Sequence, residues 1–153
     1  MAYGEKQVIK CTFENGYKTS LRHVVVDAIA FNNKHQLLLV KRAKHVFRGD
    51  KWGLPGGYLD RDETLKDAVI REVKEETNLK AKIIKLFKVI DNPNRRNEDR
   101  QGVCFVYIVS VTGDPKPQES EISEVKWFDL DKLPKEEDFA FDHLEIINSY
   151  LNK

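Results

Sequence analysis

A chain of 153 residues is long enough for one domain with a sizeable core, and 41% apolar with 33% charged residues is an ordinary globular composition. The 26 basic and 25 acidic side chains leave a net charge of +1, which excludes the broad basic footprint needed to track a long nucleic acid. A small anionic ligand needs only local charge and is compatible with this balance.

The first stretch, "MAYGEKQVIKCTFENGYK", lacks the apolar core of a signal peptide. No apolar run approaches the roughly eighteen residues a membrane helix requires. The two cysteines, Cys11 and Cys104, lie far apart and in no metal-like spacing, so both are read as reduced thiols. A cytoplasmic protein that spans no membrane is the expectation.

"RHVVVDAIAF" (Arg22 to Phe31) and "HQLLLVKRA" (His35 to Ala43) are apolar and partly β-branched, as strands are. The "NNK" between them is a turn signal, which predicts that the two pair as a hairpin. "LKDAVIREVKEETNL" then switches to a helical period. At about 100° per residue, Leu65, Ala68, Val69 and Val73 form one apolar stripe of a helix over Thr64 to Thr77. Lys66, Asp67 and Lys74 fall on the opposite side. Ala81 to Ile90 and Gly102 to Gly113 are further strands, separated by the polar loop "DNPNRRNEDR". Asp114 to Ser123 is a second polar loop, "EVKWFDLDKL" a short strand and turn, and Asp138 to Leu151 a closing helix with Phe141, Leu144, Ile147 and Leu151 on one face. Strands around one clear helix, with a second at the end, predict a layered α/β (α+β) domain and a single domain over 1–153.

Glu72, Glu75 and Glu76 continue the apolar stripe of the first helix toward its C-terminal end. Spaced i, i+3 and i+4, they neighbour one another. Ionised carboxylates set along a core-facing stripe are costly unless paired or bound to a cation. An oxygen-only donor set favours Mg²⁺, with Mn²⁺ as its substitute. Arg71, one turn before Glu75, is placed to hold that carboxylate. Gly56 and Gly57 in the preceding "PGGY" permit close approach of backbone to a ligand. A solvated glutamate face would be the ordinary reading of "EVKEE" alone; the spacing of the whole stretch argues otherwise.

Gly57, Glu63, Arg71, Glu72, Val73, Glu75, Glu76 and Leu79 stand at the spacing G-x5-E-x7-R-E-U-x-E-E-x-G-U, with U aliphatic. This resembles the Nudix box. Asn78 alone departs, standing where the family has glycine, and asparagine is the next most tolerant residue for the left-handed conformation that ends a helix. The resemblance covers the chain from about Arg22 onward and leaves the first 20 residues unexplained. It implies a Nudix α/β/α sandwich with a mixed central sheet. It also implies Mg²⁺-dependent hydrolysis of a nucleoside diphosphate derivative, with Glu72, Glu75 and Glu76 (and Gly57) at the metal and Arg71 orienting a glutamate; Glu63 is read as a structural support in preference to a metal contact through water. The general base varies within the family. A box glutamate, or Glu121 or Glu119 on the second polar loop, are the candidates.

The region after the box resembles ADP-ribose pyrophosphatases, with Pro93 about fifteen residues beyond it and an arginine-bearing loop. The run Ala140-Phe141-Asp142-His143 resembles the closing segment of short members of that group. Arg95, Arg96 and Arg100 are candidates to meet substrate phosphate, and Phe47, Trp52 and Tyr58 to stack on a base. ADP-ribose is therefore the preferred substrate and a MutT-like triphosphate hydrolase the rival. A nucleotide-sensing module that does not cleave is a third reading, against which the intact glutamates argue. The resemblance also makes a homodimer an option for assembly, with no stretch that assigns an interface.

Overall fold

The computed structural model describes residues 9–95 and 101–153. Its elements are β1 (Ile9–Thr12), β2 (Lys18–Leu21), β3 (Val24–Ala30), β4 (Leu37–Arg42), β5 (Trp52–Gly53), β6 (Gly56–Tyr58), α1 (Leu65–Thr77), β7 (Lys80–Ile90), β8 (Val103–Thr112), β9 (Ile122–Phe128) and α2 (His143–Leu151). A mixed sheet runs β6-β3-β8-β7, parallel only between β3 and β8. A second, antiparallel sheet runs β5-β4-β9, and β1 with β2 forms a separate hairpin.

Strands β3 and β8 are mostly apolar on both faces, Asp27 interrupting β3, because both of their faces are covered. Val26, Ala28 and Ala30 of β3, with Tyr107 and Val109 of β8, pack beside Ala68, Val69 and Val73 of α1. The alternate residues Ile29, Cys104, Val106 and Ile108 pack with Leu54, Phe139, Ile146 and Ile147 of the α2 side. The period of two in a strand thus divides one core into two layers, giving helix, sheet, helix. Each fully buried Val or Ile in these layers contributes about 1.5–3 kcal/mol relative to exposure. The expected α/β sandwich with a mixed sheet is the fold found.

Two expectations need correction. β3 and β4 do not form a hairpin: they share a single bridge, Phe31 with Leu37, and then enter different sheets. The turn between them is real, with Asn32 Oδ1 accepting the Lys34 and Gln36 N–H groups, but β3 takes β6 and β8 as partners and β4 takes β5 and β9. The closing helix starts at His143, not Asp138, because Phe141 has φ 54°, a left-handed value no helix interior accepts. No helix among the described residues is long and apolar enough to cross a membrane.

Helix α1 begins in a capping box, in which Thr64 accepts from the Asp67 N–H and Asp67 accepts from the Thr64 N–H. It ends at Asn78 with φ 63°, the conformation expected for this substitute for glycine. The Asn78 side chain accepts from Lys74 Nζ at 2.7 Å. Replacing Asn78 with alanine keeps the strained backbone and loses this contact, so urea denaturation should show a loss of about 1–2 kcal/mol. Asn78→Gly should lie within about 0.5 kcal/mol of the parent, since glycine relieves the backbone while losing the same contact.

Candidate active site

Where α1 crosses the β6 turn, the glutamates are graded from solvent to interior. Glu75 has its side chain 56% exposed, whereas Glu72 is half-buried and Glu76 is 7% exposed. Only Glu72 and Glu76 therefore face inward as the stripe predicts. Burial pushes the Glu72 carboxyl above its usual range against the opposing pull of Arg71, and Glu75 and Glu121 add to the rise. Burial pushes Glu76 well up, the Gly56 N–H opposes this, and the charge of Glu72 reinforces it. Two carboxyls raised by burial, with the charge of Glu121 acting on Glu72 from another loop, are thus gathered at the edge of the core.

Arg71 organises that pocket. Its Nε and Nη2 donate to Glu63 at 3.0 and 2.6 Å, Nη1 to Glu72 at 2.8 Å and Glu75 at 3.2 Å, and Nη2 also to the Tyr58 carbonyl at 2.9 Å. The bond from Arg71 is the main reason the Glu63 carboxyl is held down at about 2; Glu63 also accepts the Asp60 N–H. Glu63 is thus bonded to the arginine and to the loop before the helix, the supporting position implied by the resemblance. Arg71 holds Glu75 as expected, and holds Glu63 and Glu72 more closely.

The two glycines seat two different glutamates. Gly56 N–H donates to Glu76 Oε2 at 3.0 Å, and a Cβ at Gly56 would meet the Val26 carbonyl at 2.1 Å. A Cβ at Gly57 would lie 2.4 Å from Glu72 Oε1. Gly57→Ala must therefore displace the Glu72 carboxylate from Arg71. The expected result is a fall in kcat of roughly 10–100-fold with a melting temperature close to that of the parent, measured side by side.

Glu121 stands at the end of the second polar loop, where its carbonyl accepts the Ala43 N–H at 2.7 Å and ties the loop to β4. The other candidates are dispersed. Arg95 has its side chain 4% exposed and its fork closed on Asp142, at 2.8 and 2.7 Å. Its Nη1 donates to the Gly102 carbonyl at 3.2 Å, so each of the three guanidinium nitrogens is engaged within the fold. Arg96 and Arg100 lie outside the described residues. Trp52 packs edge-on against Phe128 and under Lys41. Phe47 is 52% exposed and 6.1 Å from Phe141, while Tyr58 sits against His23.

Sequence reasoning missed Arg42 and Asp27. The charge of Arg42 acts on Glu76, its Nε donates to the Phe47 carbonyl at 2.7 Å, and its guanidinium lies 5.4 Å from the Phe141 ring. Asp27 is buried in the middle of β3, paired in register with Gly56. A carboxylate in the run "VVVDAIA" was the available signal.

Among the described residues, no three His, Cys, Asp or Glu side chains already converge as a finished metal cage. The donor set nevertheless fits a hard cation. Glu72 and Glu76 are oxygen donors on one inward face, and among the described residues only one Glu76 oxygen, Oε2, is hydrogen-bonded, to Gly56. Mg²⁺ keeps several waters and takes one or two carboxylates plus substrate phosphate, so a full protein cage is not required.

Comparison with known proteins bears on the family and the fold. The NUDIX domain family profile matches residues 21–150. An ADP-ribose pyrophosphatase of Methanocaldococcus jannaschii is 37% identical over 149 residues, covering 95% of this chain and 83% of that protein. A NUDIX hydrolase structure from Nitrosomonas europaea superposes with a TM-score of 0.74 at 25% identity, over 99% of this chain and 89% of that one. The NUDIX domain of Shewanella oneidensis NrtR, solved in complex with ADP-ribose, superposes with a TM-score of 0.67 at 29% identity, over 86% and 88% of the two chains. With the arginine and glutamates 71–76 of the box on α1 and the sandwich built around them, the chain belongs to the Nudix family and is a hydrolase.

Proposed function

We propose that the protein hydrolyses the pyrophosphate bond of a nucleoside diphosphate derivative, with ADP-ribose as substrate and AMP and ribose 5-phosphate as products, using Mg²⁺ (Mn²⁺ as a substitute). The observation that carries this reading is the pairing of inward Glu72 and Glu76 with the glycine turn and with Arg71. The choice of ADP-ribose draws support from the M. jannaschii relative and from the ligand held by the NrtR domain.

A divalent cation held by Glu72 and Glu76, with Glu75 and the Gly57 backbone completing its surroundings, would neutralise the pyrophosphate and make the attacking water more acidic. Water oxygen bonds to one phosphorus in line with the departing oxygen, the anhydride P–O bond breaks, and its electron pair leaves with the second phosphate. Glu121 takes the water proton, since its loop position brings a carboxylate beside Glu72 without tying it to Arg71. Arg71 keeps Glu72 and Glu75 in fixed rotamers throughout. Trp52 and Gly56 border the turn on which the substrate rests.

The test is a Mg²⁺-dependent assay of the purified protein with ADP-ribose, NADH, dinucleoside polyphosphates and nucleoside triphosphates including 8-oxo-dGTP, with Glu76→Gln as the blank. Release of AMP, fastest from ADP-ribose, is the expected result. Preference for a triphosphate with release of pyrophosphate would replace the substrate and keep the site. Absence of turnover with every substrate would overturn the reading in favour of a binding module.

A further inference from the structure

The segment Leu54-Pro55-Gly56 is fastened at each of its three residues to a different part of the fold. Leu54 N–H donates to His143 Nδ1 at 2.9 Å, at the start of α2. The Pro55 carbonyl accepts the Ala28 N–H at 2.8 Å, from β3. Gly56 N–H donates to Glu76 Oε2 at 3.0 Å, on α1. Strand β5 itself has only two residues and holds this segment weakly by its own pairing.

We propose that His143 is a positioning residue for Glu76, acting through Leu54 and the Gly56 N–H; the inference rests on the reading of Glu76 as a metal donor. Because Nδ1 accepts the Leu54 N–H, it carries no proton, and the ring's hydrogen is on Nε2. That nitrogen faces Asp27 Oδ2 at 3.6 Å, beyond hydrogen-bond length. Asp27 is in turn fixed by the Cys104 thiol, which donates to the same oxygen at 2.9 Å. Asp27 is also the register partner of Gly56. The imidazole is therefore held in one tautomer and one orientation on the buried side of the turn, with its acceptor aimed at the backbone two residues before the N–H that seats Glu76.

The fit is tight from both sides. A Cβ at Gly53 would meet His143 Nδ1 at 2.6 Å. Ala140 N–H donates to the Trp52 carbonyl at 2.8 Å, and Trp52 bridges Phe139, so the chain entering α2 runs along β5. The left-handed Phe141 then turns His143 back toward Leu54. Segment 139–143 is accordingly a template laid on the approach to the glycine turn, and His143 supplies a side-chain bond to that approach.

Two near-isosteric variants separate positioning from packing. His143→Asn keeps an acceptor at the place of Nδ1 and gives up the reach toward Asp27. His143→Gln keeps a polar group toward Asp27 and gives up the acceptor for Leu54. Mn²⁺ binding to the whole protein, followed by electron paramagnetic resonance, should be roughly tenfold weaker in His143→Gln and within about twofold of the parent in His143→Asn. The same split should appear in kcat, with KM moving less than about threefold in both. Equal Mn²⁺ affinity in all three proteins, or an equal loss in both variants, overturns the proposal. If His143→Gln does not fold, Gly53→Ala displaces the same nitrogen, and unchanged Mn²⁺ affinity there overturns it equally. Glu76→Gln, run alongside, marks the fate of the underlying reading: if the parent binds no Mn²⁺ that this variant loses, both fall together.

Discussion

Glu76→Gln is expected to lower kcat roughly a thousandfold, about 4 kcal/mol in the barrier, and at the same time to raise the melting temperature of the metal-free protein. The two effects share one cause. Glu76 carries a carboxyl into the edge of the core, and burial drives it well above the usual range because its charged form is costly there. In the metal-free fold the charge is a liability, relieved only in part by the Gly56 N–H. Glutamine keeps the shape and an oxygen for that N–H but carries no charge, so the variant loses the cation donor and the liability together.

Linkage gives the pH dependence of the same pair. A carboxyl whose folded pKa is raised favours folding while it is protonated. That contribution is fully present below the ordinary carboxylate value and is lost as pH rises toward the folded value. The metal-free parent should therefore become more stable as pH falls from neutral toward mild acid, and Glu76→Gln should show less of this gain. Glu63 has the opposite sign. Held at about 2 against an ordinary 4.5, it contributes stability that is present above 4.5 and lost as pH falls through 2. Thermal melts across pH, with and without Mg²⁺, check all of this. Mg²⁺ should raise the melting temperature of the parent most above neutral pH and leave that of Glu76→Gln nearly unmoved. Equal Mg²⁺ shifts in the two proteins would remove Glu76 from the metal site.

What was legible in the sequence was what local chemistry determines. Thr64 and Asp67 announce the start of α1, and Asn78 its end, because caps are bonds between near neighbours. The largely apolar runs of β3 and β8, broken in β3 by Asp27, announce strands covered on both faces. Partner choice was not legible: the turn at Asn32 is a sound hairpin turn, yet β3 and β4 separate because each finds better partners far along the chain. Strands β1, β2, β5 and β6 have two to four residues each, too short for a period to register. The start of α2 is not legible from spacing because Phe141 fits the apolar period of a helix while its backbone turns left-handed. The same separation holds at the site. Glu72, Glu76 and Arg71 could be read from spacing along one helix. Arg95 looked like a loop cation, and its partner Asp142 is 47 residues away. Asp27, His143 and Leu54 meet only after the sheet and α2 have assembled.

Arg71→Ala should cost about 2–3 kcal/mol of stability and roughly a hundredfold in kcat while leaving a divalent cation able to bind. Losing one member of a buried ion pair costs about 3–5 kcal/mol, and the Arg71 side chain is 27% exposed, so screening reduces the figure here. What remains is still large, because one guanidinium serves Glu63, Glu72, Glu75 and the Tyr58 carbonyl together. Without it, Glu72 loses the group that opposes its upward shift, yet still offers its oxygens beside Glu76 to Mg²⁺; nothing then fixes its rotamer or joins the helix to the Glu63 loop. Cation binding and turnover should therefore separate, with Mn²⁺ affinity within about tenfold of the parent while kcat falls much further. Arg71→Lys supplies charge without the fork; it can satisfy Glu63 or Glu72 but not both, so it should recover much of the stability and little of the rate. A lysine variant with the parent's kcat would show that Arg71 contributes charge alone, and that the geometry it imposes on Glu72 is dispensable.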